Sequence, residues 1–266
     1  MNLLRLLVKF LDNKLFSSRI IELKDLRFTS SWLRLGKAPL RNSSFHVNYQ
    51  SVENDFAKLC HKYGSDKGSA PGTYGEHVLR RKVHNYADLY TFMFENIRPN
   101  VQAVFECGIG TNNEELISSM GALGKPGASL RVWRDYFPNA QIIGADIDAD
   151  CLFEEERIRT FELDQTDPNA IKNTLNKIET KLFDLIIDDG LHTFEGGKIL
   201  FENLIDSLAT SGTYIIEDIN PWDMLAFQEY FKHSTYVVYF VHLLRKKSSL
   251  SDNSVIVIRK KPASNF

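Results

Sequence analysis

Five short apolar runs, set apart mostly by helix-like intervals, restrict what this chain can fold into more than any other feature. They are AVF (103–105), QIIGAD (141–146), RTFELD (159–164), FDLIID (183–188) and GTYIIE (212–217). The unbroken apolar centre of FDLIID fits a strand buried on both faces. The intervals 128–137, 169–179 and 195–208 read as helices. The first stops at Pro138-Asn139, and Gly212 follows the last. Strand alternating with helix means a parallel sheet covered on both sides, because each parallel connection needs a crossover. The final two runs break the rhythm. YVVYFVHL (236–243) and SVIVIR (254–259) have no helix between them, only a polar, basic loop at 245–253. They predict an antiparallel hairpin that closes an otherwise parallel sheet.

The remainder of the chain reads less regularly. Residues 1–16 carry Leu3, Leu4, Leu7, Val8, Leu11 and Leu15 at helical spacing, with Arg5, Lys9 and Asp12 on the other side. The stretch is too short and interrupted to span a bilayer, and it lacks the features of a signal peptide. Two uses stay open: an amphipathic helix lying on a membrane or partner, or a helix packed on its own domain or a sister subunit. Residues 52–63 predict a second helix, and 64–75 a loop long enough to bind something. Residues 86–96 predict an aromatic-rich helix that ends before Pro99-Asn100. The domain division is therefore a helical extension over 1–58 and a main domain over 59–266. With 43% hydrophobic and 25% charged residues, a core forms without staples. A formal net charge of -2 gives no global attraction to nucleic acid. Cys60, Cys107 and Cys151 form no disulfide or zinc pattern, which makes a reducing, cytoplasmic compartment the default.

In such a sheet, ligands sit outside the carboxyl ends of the strands at the switch point. ECGIG (106–110) follows the first run there, and Gly108 and Gly110 allow a sharp turn and close approach to a ligand. A dinucleotide fingerprint would place a third glycine where Asn113 stands, and segment 111–126 delays the helix. Asp146 consequently lies beyond the ~20-residue spacing of a ribose-binding acid, although it still ends the second run. Asp164 and Gln165 follow the third. Each alone reads equally as a turn residue. Together they point to a nucleotide-type cofactor in one crevice.

The next two strand ends are acidic. Asp188, Asp189 and His192 follow the fourth run, and Glu217 and Asp218 close the fifth. If these strands are neighbours, four carboxylates and one imidazole converge. The carboxylates would repel one another unless a cation intervenes, and oxygen ligands suit Mg²⁺. Plainer readings stay open. Asp189 and His192 could cap a helix beginning near Thr193, Glu217 and Asp218 could form a solvated strand end, and Asp188 could touch the cofactor or serve as a cap.

KYGSDK (62–67), FECGIG (105–110), GASLRVWRDYFP (127–138), DDGLH (188–192) and IIED (215–218) carry a family likeness. The chain resembles class I S-adenosylmethionine-dependent methyltransferases. More narrowly, it resembles the metal-dependent sugar O-methyltransferases of macrolide and related natural-product pathways. The likeness runs from about residue 60 to 219 and leaves out the N-terminal extension and the segment after Pro221. It implies a doubly wound, Rossmann-like sheet of about seven strands with the terminal hairpin.

The resemblance also implies a set of roles. S-adenosylmethionine would meet Glu106, Gly108, Gly110, Asp146, Asp164, Gln165, Tyr86 and Asp188. Mg²⁺ would sit on Asp189, Glu217 and Asp218, with His192 as general base. His84, Tyr86 and Tyr90 would pack on or hydrogen-bond the methionine part of the cofactor, together with the Asp66-Lys67 loop. The alternative for that stripe is core packing. Trp133 and Tyr136 read as packing residues, Trp222 and Met224 as acceptor lining or core, and 245–247 as a solvated tip. The acceptor would be a sugar hydroxyl on a glycosylated metabolite or a polysaccharide precursor, and the protein a homo-oligomer. The competing readings are a non-catalytic cofactor-binding assembly partner and a hydroxylase-like or NAD-linked enzyme on a similar fold.

Overall fold

The computed structural model describes residues 53–68, 84–116, 119–243 and 252–261. The expected helix in 1–16, the tip at 245–247 and most of the 64–75 loop lie outside them.

Strand β1 (Ala103–Cys107) is central. It pairs in parallel with β2 (Gln141–Asp146) on one side and β5 (Phe183–Asp188) on the other. β4 (Ile158–Glu162) continues the sheet beyond β2, and β6 (Leu208–Ile216) continues it beyond β5, both in parallel. The hairpin forms as expected from β7 (Val237–His242) and β8 (Ser254–Arg259). The later strand, β8, lies against β6. The order is β3-β4-β2-β1-β5-β6-β8-β7, a sheet of eight strands. The strand beyond the expected seven is β3 (Glu154–Glu155), two exposed glutamates antiparallel to β4. Glutamate disfavours strands, so this edge piece leaves no apolar signature.

Helices cover the sheet. α1 (Asp55–Tyr63) and α2 (Tyr86–Phe94) precede β1, and α3 (Ala128–Tyr136) follows it. α4 (Pro168–Lys177), α5 (Phe194–Leu204) and α6 (Pro221–Tyr230) follow β4, β5 and β6 in turn. α4 and α6 start at Asp167 and Asn220 caps with proline in the first turn, which satisfies donors a helix end leaves open. α1 runs through residue 58, where a domain boundary was expected. Its Phe56, Ala57 and Cys60 are buried, and the Phe56 ring lies 4.8 Å from Trp133. Among the described residues, no helix is long and apolar enough to cross a membrane.

Side-chain alternation along the strands sorts the acids. Val104, Leu185, Ile187 and Ile215 share one buried cluster with α1, α2 and α3. Glu106, Asp189 and Glu217 continue that phase, so all three carboxylates reach the same face. Asp188 continues the opposite phase. Its Oδ2 lies beneath α5, 3.1 Å from where a Cβ on Gly197 would sit. Adjacent acids in sequence thus point to different faces of the sheet.

Candidate active site

The glycine turn is built by strain only glycine tolerates. Gly108 and Gly110 have φ of +87° and +84°. A Cβ on Gly108 would collide with the Asp189 carbonyl, so the turn after β1 packs directly on the loop after β5. Asp146 pins the same turn to the end of β2. Its Oδ2 accepts from Ile109 N at 2.9 Å and its Oδ1 from Asp148 N at 3.1 Å. Burial raises its carboxyl pKa. An open cleft of about 230 Å³ adjoins the turn, lined by Thr111, Asn112, Asn113, Pro126, Asp148, Asp150 and Cys151. Ile147 stands exposed between Asp146 and Asp148.

Three of the residues expected on the cofactor also hold protein groups. Gln165 is buried. Its Nε2 donates to Asp188 Oδ1 at 3.2 Å, and its Oε1 accepts from Leu191 N at 2.7 Å. It therefore clamps the loop that carries Asp189 and His192. Asp164 Oδ1 closes a local turn on Thr166 N and Oγ1, at 2.8 and 2.6 Å. Glu106 is fully buried. Its Oε2 accepts from Ser129 Oγ at 2.7 Å and Trp133 Nε1 at 3.2 Å.

Lys67 enters the face where Glu106, Asp189 and Glu217 meet. Its ammonium lies 3.2 Å from Glu106 Oε1 and 2.7 Å from Asp189 Oδ2, and it also pairs with Glu217 Oε2. The side chain is 2% exposed. Burial opposes the charge, but Asp189, Glu217 and Glu106 outweigh it and hold the lysine well above its ordinary pKa. Tyr90 Oη donates to the other oxygen of Glu217. Burial, partly offset by Lys67, raises the Glu217 pKa well above the carboxylate range. Lys67 and Tyr90 each engage one oxygen of Glu217, and each oxygen keeps a further lone pair.

Asp218 takes a different course. Its φ of 54° lies in the left-handed region, as does that of His192 at 55°. Such conformations cost non-glycine residues free energy and cluster at functional sites. Tyr86 Oη donates to Asp218 Oδ1 at 2.6 Å, and His84 Nε2 lies 3.5 Å from the same oxygen. Tyr86 and Tyr90 are thus core residues with functional ends: each ring is buried and each hydroxyl holds a site carboxylate. Burial and the neighbouring acids raise both phenol pKa values, so they stay donors. Asp189, His192 and Asp218 each offer a ligand atom, and all three atoms lie within 4.8 Å of one another.

The plainer readings can now be judged. The cap of α5 is Thr193, whose Oγ1 accepts from Gly196 N at 3.2 Å, so neither Asp189 nor His192 is the cap. Glu217 is 1% exposed and no solvated strand end. Asp188 is buried, which raises its pKa to about 6, and its Oδ2 has no hydrogen-bond partner among the described residues. Met224 is buried in the core, whereas Trp222 is 77% exposed at the start of α6. The sequence reading placed Lys67 beside the cofactor and missed its pairing with the acids. Strand phase was the available signal, since three carboxylates on one buried face require a cation.

No family model matches the chain. It is similar to the 8-demethyl-8-alpha-L-rhamnosyl tetracenomycin-C 2'-O-methyltransferase of Streptomyces olivaceus, with 30% identity over 172 residues, 65% of this chain and 39% of that one. It is also similar to the demethylmacrocin O-methyltransferase of Streptomyces fradiae, with 32% identity over 137 residues, 52% of this chain and 32% of that one. The chain thus spans well under half the length of these curated relatives. Among solved structures, MycE methyltransferase from the mycinamycin biosynthetic pathway, in complex with Mg and SAH, superposes with a TM-score of 0.57 at 22% identity. That match covers 81% of this chain and 57% of MycE. The complex that also holds mycinamycin VI gives 0.58 at 21% identity, covering 80% and 56%. This likeness shows the fold: a mixed sheet of methyltransferase type with antiparallel C-terminal strands. Both curated relatives are named O-methyltransferases, and the first name carries a rhamnosyl group, in keeping with the motif resemblance.

Proposed function

We infer that the protein is an S-adenosylmethionine-dependent, metal-assisted O-methyltransferase whose acceptor is a sugar hydroxyl of a glycosylated metabolite or polysaccharide precursor. The observation that carries this reading is the convergence of Asp189, His192 and Asp218 within 4.8 Å, on a loop packed against the glycine turn. The Streptomyces olivaceus relative is named for a rhamnosyl compound, which supports the acceptor class.

The residues fit both groups. Gly108 and Gly110 form the left-handed turn at the carboxyl end of β1, where a cofactor would lie, and Asp146 fixes that backbone. Two carboxylates suit a hard divalent cation such as Mg²⁺. Asp189 and Asp218 would hold it. A bound divalent cation lowers the pKa of a coordinated hydroxyl, and the sulfonium supplies the methyl group. His192 stands beside both acids, placed to take the proton of the attacking hydroxyl. Gln165 and the left-handed backbone of His192 hold the loop that carries that imidazole. Asp188, beneath α5, supports the loop through Gln165 and the Gly190 amide.

The test is transfer of a labelled methyl group to a panel of rhamnosylated compounds, nucleotide-sugars and glycosylated lipids, with and without Mg²⁺. Label should enter a sugar in the presence of Mg²⁺ and vanish with EDTA. His192→Ala should keep Mn²⁺ affinity within about threefold yet lose at least about 10²-fold in rate. Loss of Mn²⁺ binding in that variant would make His192 a ligand, and normal turnover would end its role as base.

A further inference from the structure

We propose that His84 is a positioning residue which, locked in place by Asn253, holds the carboxylate of Asp218 where the metal needs it. This rests on the metal-assisted reading above. His84 and Asn253 stand 169 residues apart in sequence. They meet at the base of the terminal hairpin, where Leu243 follows β7 and Asn253 precedes β8. Both are buried. His84 Nδ1 lies 3.1 Å from Asn253 Oδ1, and His84 Nε2 lies 3.5 Å from Asp218 Oδ1. The ring therefore links the hairpin to a carboxylate of the site.

The orientation of the ring follows from the chemistry of its neighbours. The Leu243 carbonyl can only accept, so the atom of Asn253 that meets it is the amide nitrogen. The same nitrogen donates to Asn85 Oδ1 at 2.6 Å. Asn253 consequently turns its oxygen to His84, and Nδ1 carries the hydrogen of that bond. Nε2 is then aimed at Asp218 Oδ1. Stacking on Tyr86, with ring centroids 4.6 Å apart, limits the tilt of the imidazole. Asp218 itself is bracketed by main-chain bonds: Glu217 N donates to Asp188 O at 2.9 Å, and Ile219 N to Ser254 O at 3.1 Å. Its left-handed φ falls between these two anchors. The Tyr86 hydroxyl donates to Oδ1 at 2.6 Å and accepts from the Asp218 amide at 3.2 Å, which ties the carboxylate to its own backbone. His84 is the second neighbour of that oxygen and comes from the hairpin side. Both contacts orient the carboxylate while it stays within the Asp189, His192 and Asp218 set. Outer partners of this kind aim metal-binding groups, and their loss costs about 10–100-fold in metal affinity or activity.

The experiment titrates Mn²⁺ into the full chain by calorimetry, with thermal melts alongside. Wild type is compared with His84→Phe, Asn253→Leu, the double variant and Phe183→Leu. Phenylalanine keeps a ring to stack on Tyr86 and removes both nitrogens. Phe183 is buried at the end of β5 away from the acids, so its variant reports destabilisation alone. His84→Phe should bind Mn²⁺ at least about tenfold more weakly, and Asn253→Leu at least about threefold. The double variant should match His84→Phe within about twofold, because Asn253 acts through His84. Phe183→Leu should melt lower yet lose less than about threefold in Mn²⁺ affinity. A smaller loss than about tenfold in a folded His84→Phe would overturn the proposal, as would an equal loss in Phe183→Leu. If His84→Phe does not fold, Asn253→Leu decides: about threefold or more upholds the proposal, and less overturns it. A double variant far weaker than His84→Phe would overturn the role of Asn253 as the lock. Wild-type binding with undiminished binding in His84→Phe sinks the proposal alone. No binding by wild type sinks the metal-assisted reading and the proposal with it.

Discussion

Replacing Gly108 with alanine tests whether the cofactor turn and the acid-bearing loop are one mechanical unit. At φ +87° an alanine pays the left-handed cost of about 1–2 kcal/mol. Its Cβ would also overlap the carbonyl carbon and oxygen of Asp189 and the Cα of Gly190. These are backbone atoms, so no rotamer change relieves the contact. Overpacking of that kind adds about 1–3 kcal/mol, for a total of about 2–5 kcal/mol. Gly121 is the internal control. Its φ is +68° and a Cβ there meets nothing within 4 Å, so Gly121→Ala should cost only the conformational part, about 1–2 kcal/mol. Urea denaturation measures both, and Mn²⁺ titration follows the displaced Asp189. Gly108→Ala should be the less stable variant and bind Mn²⁺ more weakly. Equal midpoints and unchanged Mn²⁺ affinity in the two variants would refute the coupling.

Three further outcomes follow from the same geometry. Gln165→Leu leaves the Leu191 amide without its partner and removes one of two donors from Oδ1 of buried Asp188, and should cost about 1–3 kcal/mol in urea denaturation; a change under about 0.5 kcal/mol would contradict the clamp. Burial lowers the His242 pKa from 6.5 to about 4, so the unfolded chain takes up this proton first as pH falls. Stability present above pH 6.5 should drop by on the order of 2 kcal/mol toward pH 4, and His242→Gln should flatten that limb in pH-dependent melts. Trp222 is exposed at 77% on a helix start fixed by Pro221 and the Asn220 cap. Trp222→Ala should raise the acceptor KM by roughly fivefold to tenfold through lost ring contact without moving the melting midpoint; an unchanged KM would remove it from the acceptor site.

The sheet was legible because its strands are buried runs whose period and length have few alternatives. FDLIID and GTYIIE are found as neighbouring strands, and the terminal hairpin lies where the missing helix implied. β3 left no trace, because two exposed glutamates owe their pairing to β4 and to no preference of their own. At the site, residue types announced the acids but could not distribute them. Strand phase separates Asp188 from Asp189, and the left-handed turn at Asp218 returns it to Asp189. Neither that turn nor the one at His192 has a glycine to mark it. Gln165 and Glu106 sit at strand ends, where ligand contact and internal support look alike in sequence. Their hydrogen bonds show the support. Lys67 lies 122 residues before Asp189 and 150 before Glu217, and only the fold joins them.

The central claim is a divalent-metal site beside a cofactor turn, and a crystal grown with Mn²⁺ and S-adenosylhomocysteine tests it most directly. The anomalous difference map at the manganese edge should show one peak bounded by the Asp189 and Asp218 carboxylates, with the cofactor on the Gly108–Gly110 turn. A peak away from Asp189 and Asp218, or no peak in crystals that hold the cofactor, would contradict the account.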